Sequence, residues 1–192
     1  MIWNIPNGLT MLRILLIPVF VAIFYAQPGL VTEHTANQLA TFVFALAAIT
    51  DWLDGYLARV LNQTSAFGAF LDPVADKLMV AAALVMLIEF ERVGALVAFI
   101  IIGREIAISA LREWMAGIGE GSNVAVAFIG KVKTAAQMIA ILFLLYNDPI
   151  STPFGMVDIK YIGLIAIIIA AFLTLLSMAY YLKAAWPRMR AR

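Results

Sequence analysis

Six long apolar runs, each close to the length a helix needs to cross a lipid bilayer, constrain this chain more than any other feature. A hydrocarbon core about 30 Å thick takes roughly 20 helical residues to span. Segments near 10–27, 38–60, 73–90, 93–113, 126–147 and 159–182 meet that length. Gln27-Pro28-Gly29, Asn147-Asp148-Pro149 and Ser151-Thr152-Pro153 are breakers that fall where connections belong. The 192 residues are 64% hydrophobic and 13% charged, whereas a soluble domain is about a quarter charged. The expected fold is therefore an all-α integral membrane protein: one domain over residues 1–192, a bundle of six transmembrane helices with a short N-terminal interfacial segment. Trp3 in that segment suits the interface, and Pro6 suits a first helical turn, where its missing N–H costs little. Asn and Pro, rather than Lys or Arg, precede the first run, and no small-residue cleavage site follows it. That run is expected to stay as a helix and not to be removed as a signal peptide.

Charge gives the bundle a side. With six spans both termini share one face. On that face, or in helix ends beside it, lie Arg13, Arg59, Lys77, Arg104, Arg112, Lys131, Lys133, Lys183, Arg188, Arg190 and Arg192. Only Arg92 and Lys160 lie opposite. Eleven against two predicts cytoplasmic termini. Part of the bias is the tail from Trp186 to Arg192, which reads as a stop-transfer flank on anionic lipid. A net charge of +1 and the lack of a basic tract interleaved with aromatics argue against nucleic acid as a partner. The absence of cysteine removes disulfides, thiolate metal sites and cysteine nucleophiles together.

Ionised aspartate in a membrane helix costs about 3 kcal/mol on insertion scales. This chain nevertheless places Asp51, Asp54, Asp72 and Asp76 at the cytoplasmic ends of its second and third spans. The spacings, i,i+3 and i,i+4, put each pair on one helix face. A short polar link, Asn62-Gln63-Thr64-Ser65, predicts that the two helices are antiparallel neighbours. Carboxylates crowded in this way repel. Mg²⁺ or Mn²⁺ resolves the conflict, because hard cations take oxygen ligands and bridge to substrate phosphates. The alternative, helix-end residues in a wet vestibule, is the less favoured reading. Gly55 and Ala58 follow the first pair, where small side chains let a ligand or helix approach. Arg59 lies two turns beyond Asp51 and suits a phosphate.

The run Asp51-Trp-Leu-Asp54-Gly55-Tyr-Leu-Ala58-Arg59, then Gly68, Asp72 and Asp76, resembles the defining motif of the CDP-alcohol phosphotransferase family, with all eight fixed positions filled. The resemblance continues through Asn4-Ile-Pro-Asn7-Gly-Leu-Thr10-Met-Leu-Arg13, through Gly103-Arg104-Glu105 and Ser109-Ala-Leu-Arg112-Glu113, and through Gly130-Lys131-Val-Lys133-Thr134. These segments are similar to bacterial members that use sn-glycerol 3-phosphate as acceptor. The resemblance implies CDP-diacylglycerol as donor, phosphatidylglycerophosphate and CMP as products, and a homodimer in the bacterial inner membrane. It implies that Asp51, Asp54, Asp72 and Asp76 hold two divalent ions, and that Asp76 is also the general base. It places the CDP-lipid against Asp51, Asp54, Gly55, Ala58, Arg59 and Gly68.

Asn7, Thr10 and Arg13 fall at i, i+3 and i+6, a polar stripe on an apolar helix. The resemblance suggests that they close the nucleotide side of the site; interfacial anchoring is the equal alternative. Arg104 and Arg112 are eight apart and share one helix side, and Lys131 and Lys133 open the fifth span. These cations suit the acceptor's own phosphate, with ordinary positive-inside flanking or Arg104–Glu105 and Arg112–Glu113 pairing as the competing explanation. His34, with Glu33, is expected in an outer loop and solvated. Glu89, Glu91, Asp148 and Asp158 are expected likewise. Scattered methionines and aromatics read as packing. A cation transporter is the alternative of a different class, but it would need a polar path to the outer side, and the outer halves of the spans are nearly uniform hydrocarbon. Within the family the open alternatives are inositol phosphate, serine or phosphatidylglycerol as acceptor.

Overall fold

The computed structural model describes residues 4–27, 29–117, 124–153 and 155–190. Six helices follow the apolar runs: α1 (Ile5–Tyr25), α2 (Glu33–Val60), α3 (Ala66–Glu89), α4 (Ala95–Gly117), α5 (Val124–Tyr146) and α6 (Ile159–Arg190). The helices begin where capping chemistry dictates, often ahead of the apolar run. Asn4, Thr32 and Ser65 are extended N-cap residues, and their side chains accept from the backbone N–H of Asn7, Thr35 and Gly68, satisfying donors a helix start leaves orphaned. The first helix thus starts at Ile5, with Pro6 in its first turn. Residues 5–7, expected in an interfacial segment, belong to its opening turn. Asn62, Glu91 and Asn147 adopt positive φ just past the ends of α2, α3 and α5, the left-handed conformation that commonly terminates helices.

Between α5 and α6 the chain forms a feature the breakers did not foretell, a two-stranded antiparallel hairpin. Strand β1 (Ile150–Thr152) pairs with β2 (Gly155–Val157), in the register Ile150 to Val157 and Thr152 to Gly155. Gly155 has φ +124°, which side-chain-bearing residues rarely adopt.

Helix α1 packs against both α2 and α3, α5 packs along α6, and α4 leans on α6. Helices α2 and α3 touch each other, as the short link between them predicts, over a shorter stretch than α1 touches either. Gly163 permits the α5–α6 approach, because a Cβ there would lie 2.9 Å from Leu144 Cγ. The buried core gathers Phe20, Phe24, Phe44, Leu84, Leu87, Ile101, Ile141, Leu144 and Ile167, all in the half of the bundle away from the aspartates. Outside it, Phe42, Phe99, Leu96, Ile165 and Phe172 stand exposed, as a lipid-facing surface requires and a water-facing one does not.

The chain is an all-α membrane protein. Helices α1 and α2 and residues Ile159–Lys183 of α6 are long and apolar enough to cross a bilayer. Helix α3 carries Asp72, Asp76 and Lys77 within its length, and α4 carries Arg104, Glu105, Arg112 and Glu113.

Candidate active site

The aspartate helices meet through α1. Arg13 Nη1 donates to Asp51 Oδ1 at 2.6 Å, and Nη2 donates to Asp54 Oδ2. Thr10 Oγ1 lies 2.6 Å from Asp72 Oδ1 and 3.3 Å from Asp54 Oδ2, so oxygens from α2 and α3 approach a single hydroxyl. Asp54 is enclosed, with 3% of its side chain accessible, while Asp51 keeps 44%. The site therefore opens on the Asp51 side. Asp76 sits within the electrostatic reach of Asp51, Arg13, Glu105 and Lys77. All four motif carboxylates are gathered at one end of the bundle.

Asn7, Thr10 and Arg13 are all buried and bonded to α2, to α3 or to the link between them. Asn7 Nδ2 donates to Ser65 Oγ at 3.0 Å, and Asn4 Nδ2 donates to the Gln63 carbonyl at 2.9 Å, tying the α2–α3 link to the start of α1. This arrangement explains Gly68: a Cβ there would lie 2.5 Å from Asn7 Oδ1. Arg59 is exposed and reaches back over Gly55, whose added Cβ would meet Arg59 Nη1 at 3.8 Å. Ala58 is half-buried on the same helix.

The donor set suits a hard divalent cation, since every candidate ligand is an anionic oxygen. The buried Arg13 guanidinium between Asp51 and Asp54 shows that positive charge is favoured there, and one arginine does not balance four aspartates. Among the described residues no three His, Cys, Asp or Glu side chains already converge as a cation cage; Arg13 takes the cationic place.

On the α4 side, Arg104 is buried and donates through Nη2 to Ser177 Oγ of α6 at 2.7 Å. Its Nη1 lies 3.6 Å from Glu105 Oε1, the neighbour pair weighed above. Glu105 also lies within the electrostatic reach of Asp76, so this end of α4 borders the carboxylates. The backbones of Arg112, Lys131 and Lys133 belong to α4 and α5, but their side chains lie outside the described residues. Ser177 gave no signal in the sequence beyond being the one serine in an apolar span.

The opposite end of the bundle differs from expectation. His34 lies in the first turn of α2, not in a loop, and its Nδ1 is 2.8 Å from Asp148 Oδ2. Arg92 is buried. It donates to the carbonyls of Leu144 and Leu145 and to Asn37 Oδ1 at 2.6 Å, and stands over the rings of Phe24 and Phe90. Burial lowers its pKa from the ordinary arginine value, while Glu33 and Asp148 pull it back up. Asp148, expected to be solvated, is engaged by His34 and Asn37.

A bundle of apolar helices that carries Asp51, Asp54, Gly55, Ala58, Arg59, Gly68, Asp72 and Asp76 on two neighbouring helices defines a class. The chain belongs to the CDP-alcohol phosphatidyltransferase family, whose model matches residues 3–183. Its similarity to named members runs almost end to end. It is 49% identical over 185 residues to a CDP-diacylglycerol–glycerol-3-phosphate 3-phosphatidyltransferase of Salmonella paratyphi A, covering 95% of each chain. It is 50% identical over 193 residues to an enzyme of the same name from Pseudomonas fluorescens, covering 97% of this chain and 92% of that one. A Shigella flexneri serotype 5b enzyme of that name is 49% identical over 185 residues. Membership of this family sets aside the cation-transporter alternative.

Proposed function

We propose that this chain transfers the phosphatidyl group of CDP-diacylglycerol to sn-glycerol 3-phosphate, giving phosphatidylglycerophosphate and CMP. The observation that carries the reading is the cluster of carboxylates that α2 and α3 bring to one end of the bundle, in a chain about half identical, over nearly its whole length, to enzymes named for this reaction. Asp51, Asp54, Asp72 and Asp76 would hold Mg²⁺ or Mn²⁺, most simply as a pair of ions. When bound, such ions neutralise the pyrophosphate and stabilise charge on departing CMP. The chain's own groups do the rest. Arg13 and Thr10 fix the spacing of the α2 and α3 carboxylates. Asp76 accepts the proton of the acceptor's C1 hydroxyl as that oxygen attacks the β-phosphorus in line and the bond from phosphorus to the CMP oxygen breaks. Asn7 and Arg59, with the small residues Gly55, Ala58 and Gly68, shape the nucleotide side. Arg104 and Arg112, with Lys131 and Lys133, take the acceptor's phosphate, which needs neutralising away from the reacting one. Acyl chains remain among lipid while the CDP head enters the polar pocket.

All six helices span the membrane in this reading, with both termini and the site on the cytoplasmic side of the bacterial inner membrane, and the enzyme works as a homodimer. The excess of Lys and Arg on that side supports the orientation. Because the chain has no cysteine, single cysteines placed in each link and labelled from either side would check it directly. The activity is tested by CMP release in detergent from CDP-diacylglycerol with glycerol 3-phosphate, inositol phosphate, serine or phosphatidylglycerol. Turnover is expected with glycerol 3-phosphate alone, abolished by chelation and restored by Mg²⁺ or Mn²⁺. Preference for another acceptor would overturn the assignment, and turnover after complete chelation would remove the cation from it.

A further inference from the structure

Helix α6 contributes no residue to the motif, yet it holds a polar group against the acceptor side of the site. Ser177 and Thr174 are fully buried on the face of α6 that meets α4. The Ser177 hydroxyl lies 3.0 Å from the Thr174 carbonyl, to which it donates its proton. With that proton committed, the oxygen presents only lone pairs outward. One of them accepts from Arg104 Nη2 at 2.7 Å, a short, charge-assisted bond. Glu105 approaches the same guanidinium at Nη1, at 3.6 Å. The long, rotamer-rich side chain of Arg104 is thus fixed from α6 as well as from its own helix. A guanidinium gains most in phosphate recognition when its planar fork is oriented before the ligand arrives.

We infer that Ser177 is a positioning residue, holding Arg104 in the orientation used to bind the acceptor's phosphate. This rests on the reading of Arg104 as an acceptor contact, and the test separates the two. Glycerol 3-phosphate and CDP-diacylglycerol kinetics would be measured, with thermal stability, for Ser177→Ala, Arg104→Gln and the double variant. Ser177→Ala is expected to raise KM for glycerol 3-phosphate roughly 5- to 20-fold, within the worth of a hydrogen bond to a charged group. KM for CDP-diacylglycerol should move by less than about twofold. Arg104→Gln should raise the acceptor KM further, and the double variant should be no worse than Arg104→Gln alone, because Ser177 then has nothing to position. If Arg104→Gln raises the acceptor KM and Ser177→Ala does not, the inference fails and the acceptor reading stands. If neither does, both fall. Additive effects would mean that Ser177 acts apart from Arg104, and parallel loss of stability with both KM values raised would make it a packing residue. Either overturns the inference.

Discussion

Arg13 and Arg92 are both buried, with 1% and 4% of their surface accessible, and they lie toward opposite ends of the same bundle. Arg92 stands over the ring of Phe24, eleven residues from Arg13 along α1, about 16 Å of helix rise. What each arginine faces differs in kind. Arg92 meets two neutral carbonyls, an amide oxygen and two aromatic rings, with Glu33 at 3.5 Å as its nearest carboxylate. That arrangement ties together α2, the end of α3 and the end of α5 with little charge left over. Arg13 meets two carboxylates, with two more close by, so the carboxylates around it outnumber the one guanidinium set among them. A buried cation satisfied by carbonyls holds a structure together; one outnumbered by carboxylates marks a place where further positive charge must come from elsewhere. The apolar core lies at the Arg92 end. The aspartates lie where the core stops.

At the aspartate end the largest expected effects are on rate. Asp51→Asn, Asp54→Asn and Asp72→Asn should each lower turnover on the order of 10³-fold or more, since each removes charge from the cation site. Asp72→Asn is the cleanest of the three: the amide oxygen still accepts from Thr10, so the thermal midpoint should stay within a few degrees of the parent. CMP release at limiting Mg²⁺ and a melting curve in the same detergent check both halves. Near-normal turnover of any one variant would remove it from the ligand set. Asp76→Asn keeps the shape but cannot accept a proton, and positioned general bases contribute about 10² to 10⁴ in rate. Its kcat should fall by that range while metal-dependent binding of CDP-diacylglycerol survives. Joint loss of both would make Asp76 chiefly a ligand.

At the other end the expected effect moves from rate to stability. Arg92→Met preserves an apolar stem over Phe24 and Phe90 but strips donors from Asn37 and from the Leu144 and Leu145 carbonyls. Buried polar groups left without partners cost about 1–3 kcal/mol each. A loss of roughly 3 kcal/mol or more is therefore expected, seen as a large drop in thermal midpoint. The surviving folded enzyme should keep KM values near those of the parent. Altered KM for either substrate with unchanged stability would mean that this end is part of the functional site, and the contrast would collapse.

The helices were legible in the sequence because apolar length is a local property, and the aspartates because their spacing is local too. Helix starts were less so. The apolar windows begin at 10 and 73, whereas the caps Asn4 and Ser65 start α1 and α3 five and seven residues earlier. The polar stripe Asn7, Thr10 and Arg13 was visible, but its partners were not, because they come from the two other helices that α1 packs against. That packing also explains Gly68, whose need is set by Asn7, 61 residues away in sequence. Ser177 bonds Arg104 across 73 residues, and Arg92 finds its carbonyls 52 and 53 residues away. Partners that far apart leave no periodic signal, so a buried staple and a positioning hydroxyl read in the sequence as a loop charge and a lone serine.

The smallest expected effect tests where the Arg92 cluster ends. His34 Nδ1 bonds Asp148 Oδ2 at 2.8 Å, and Gln38 Nε2 lies 3.0 Å from His34 Nε2. Both contacts belong to the same outer cluster, since Asn37 reaches Asp148 as well as Arg92. The difference is exposure: the His34 side chain keeps 59% of its surface, against 3% for Arg92. Water can replace what an exposed pair loses, and such pairs contribute about 0 to 1 kcal/mol. His34→Ala should therefore shift the thermal midpoint by no more than a few degrees and leave turnover and both KM values unchanged. It also tests the expectation that this histidine holds no metal, because the Mg²⁺ or Mn²⁺ dependence of turnover should be untouched. A destabilisation as large as that of Arg92→Met would extend the buried staple out to the surface. A changed metal response would carry functional chemistry to the end of the bundle opposite the four motif aspartates.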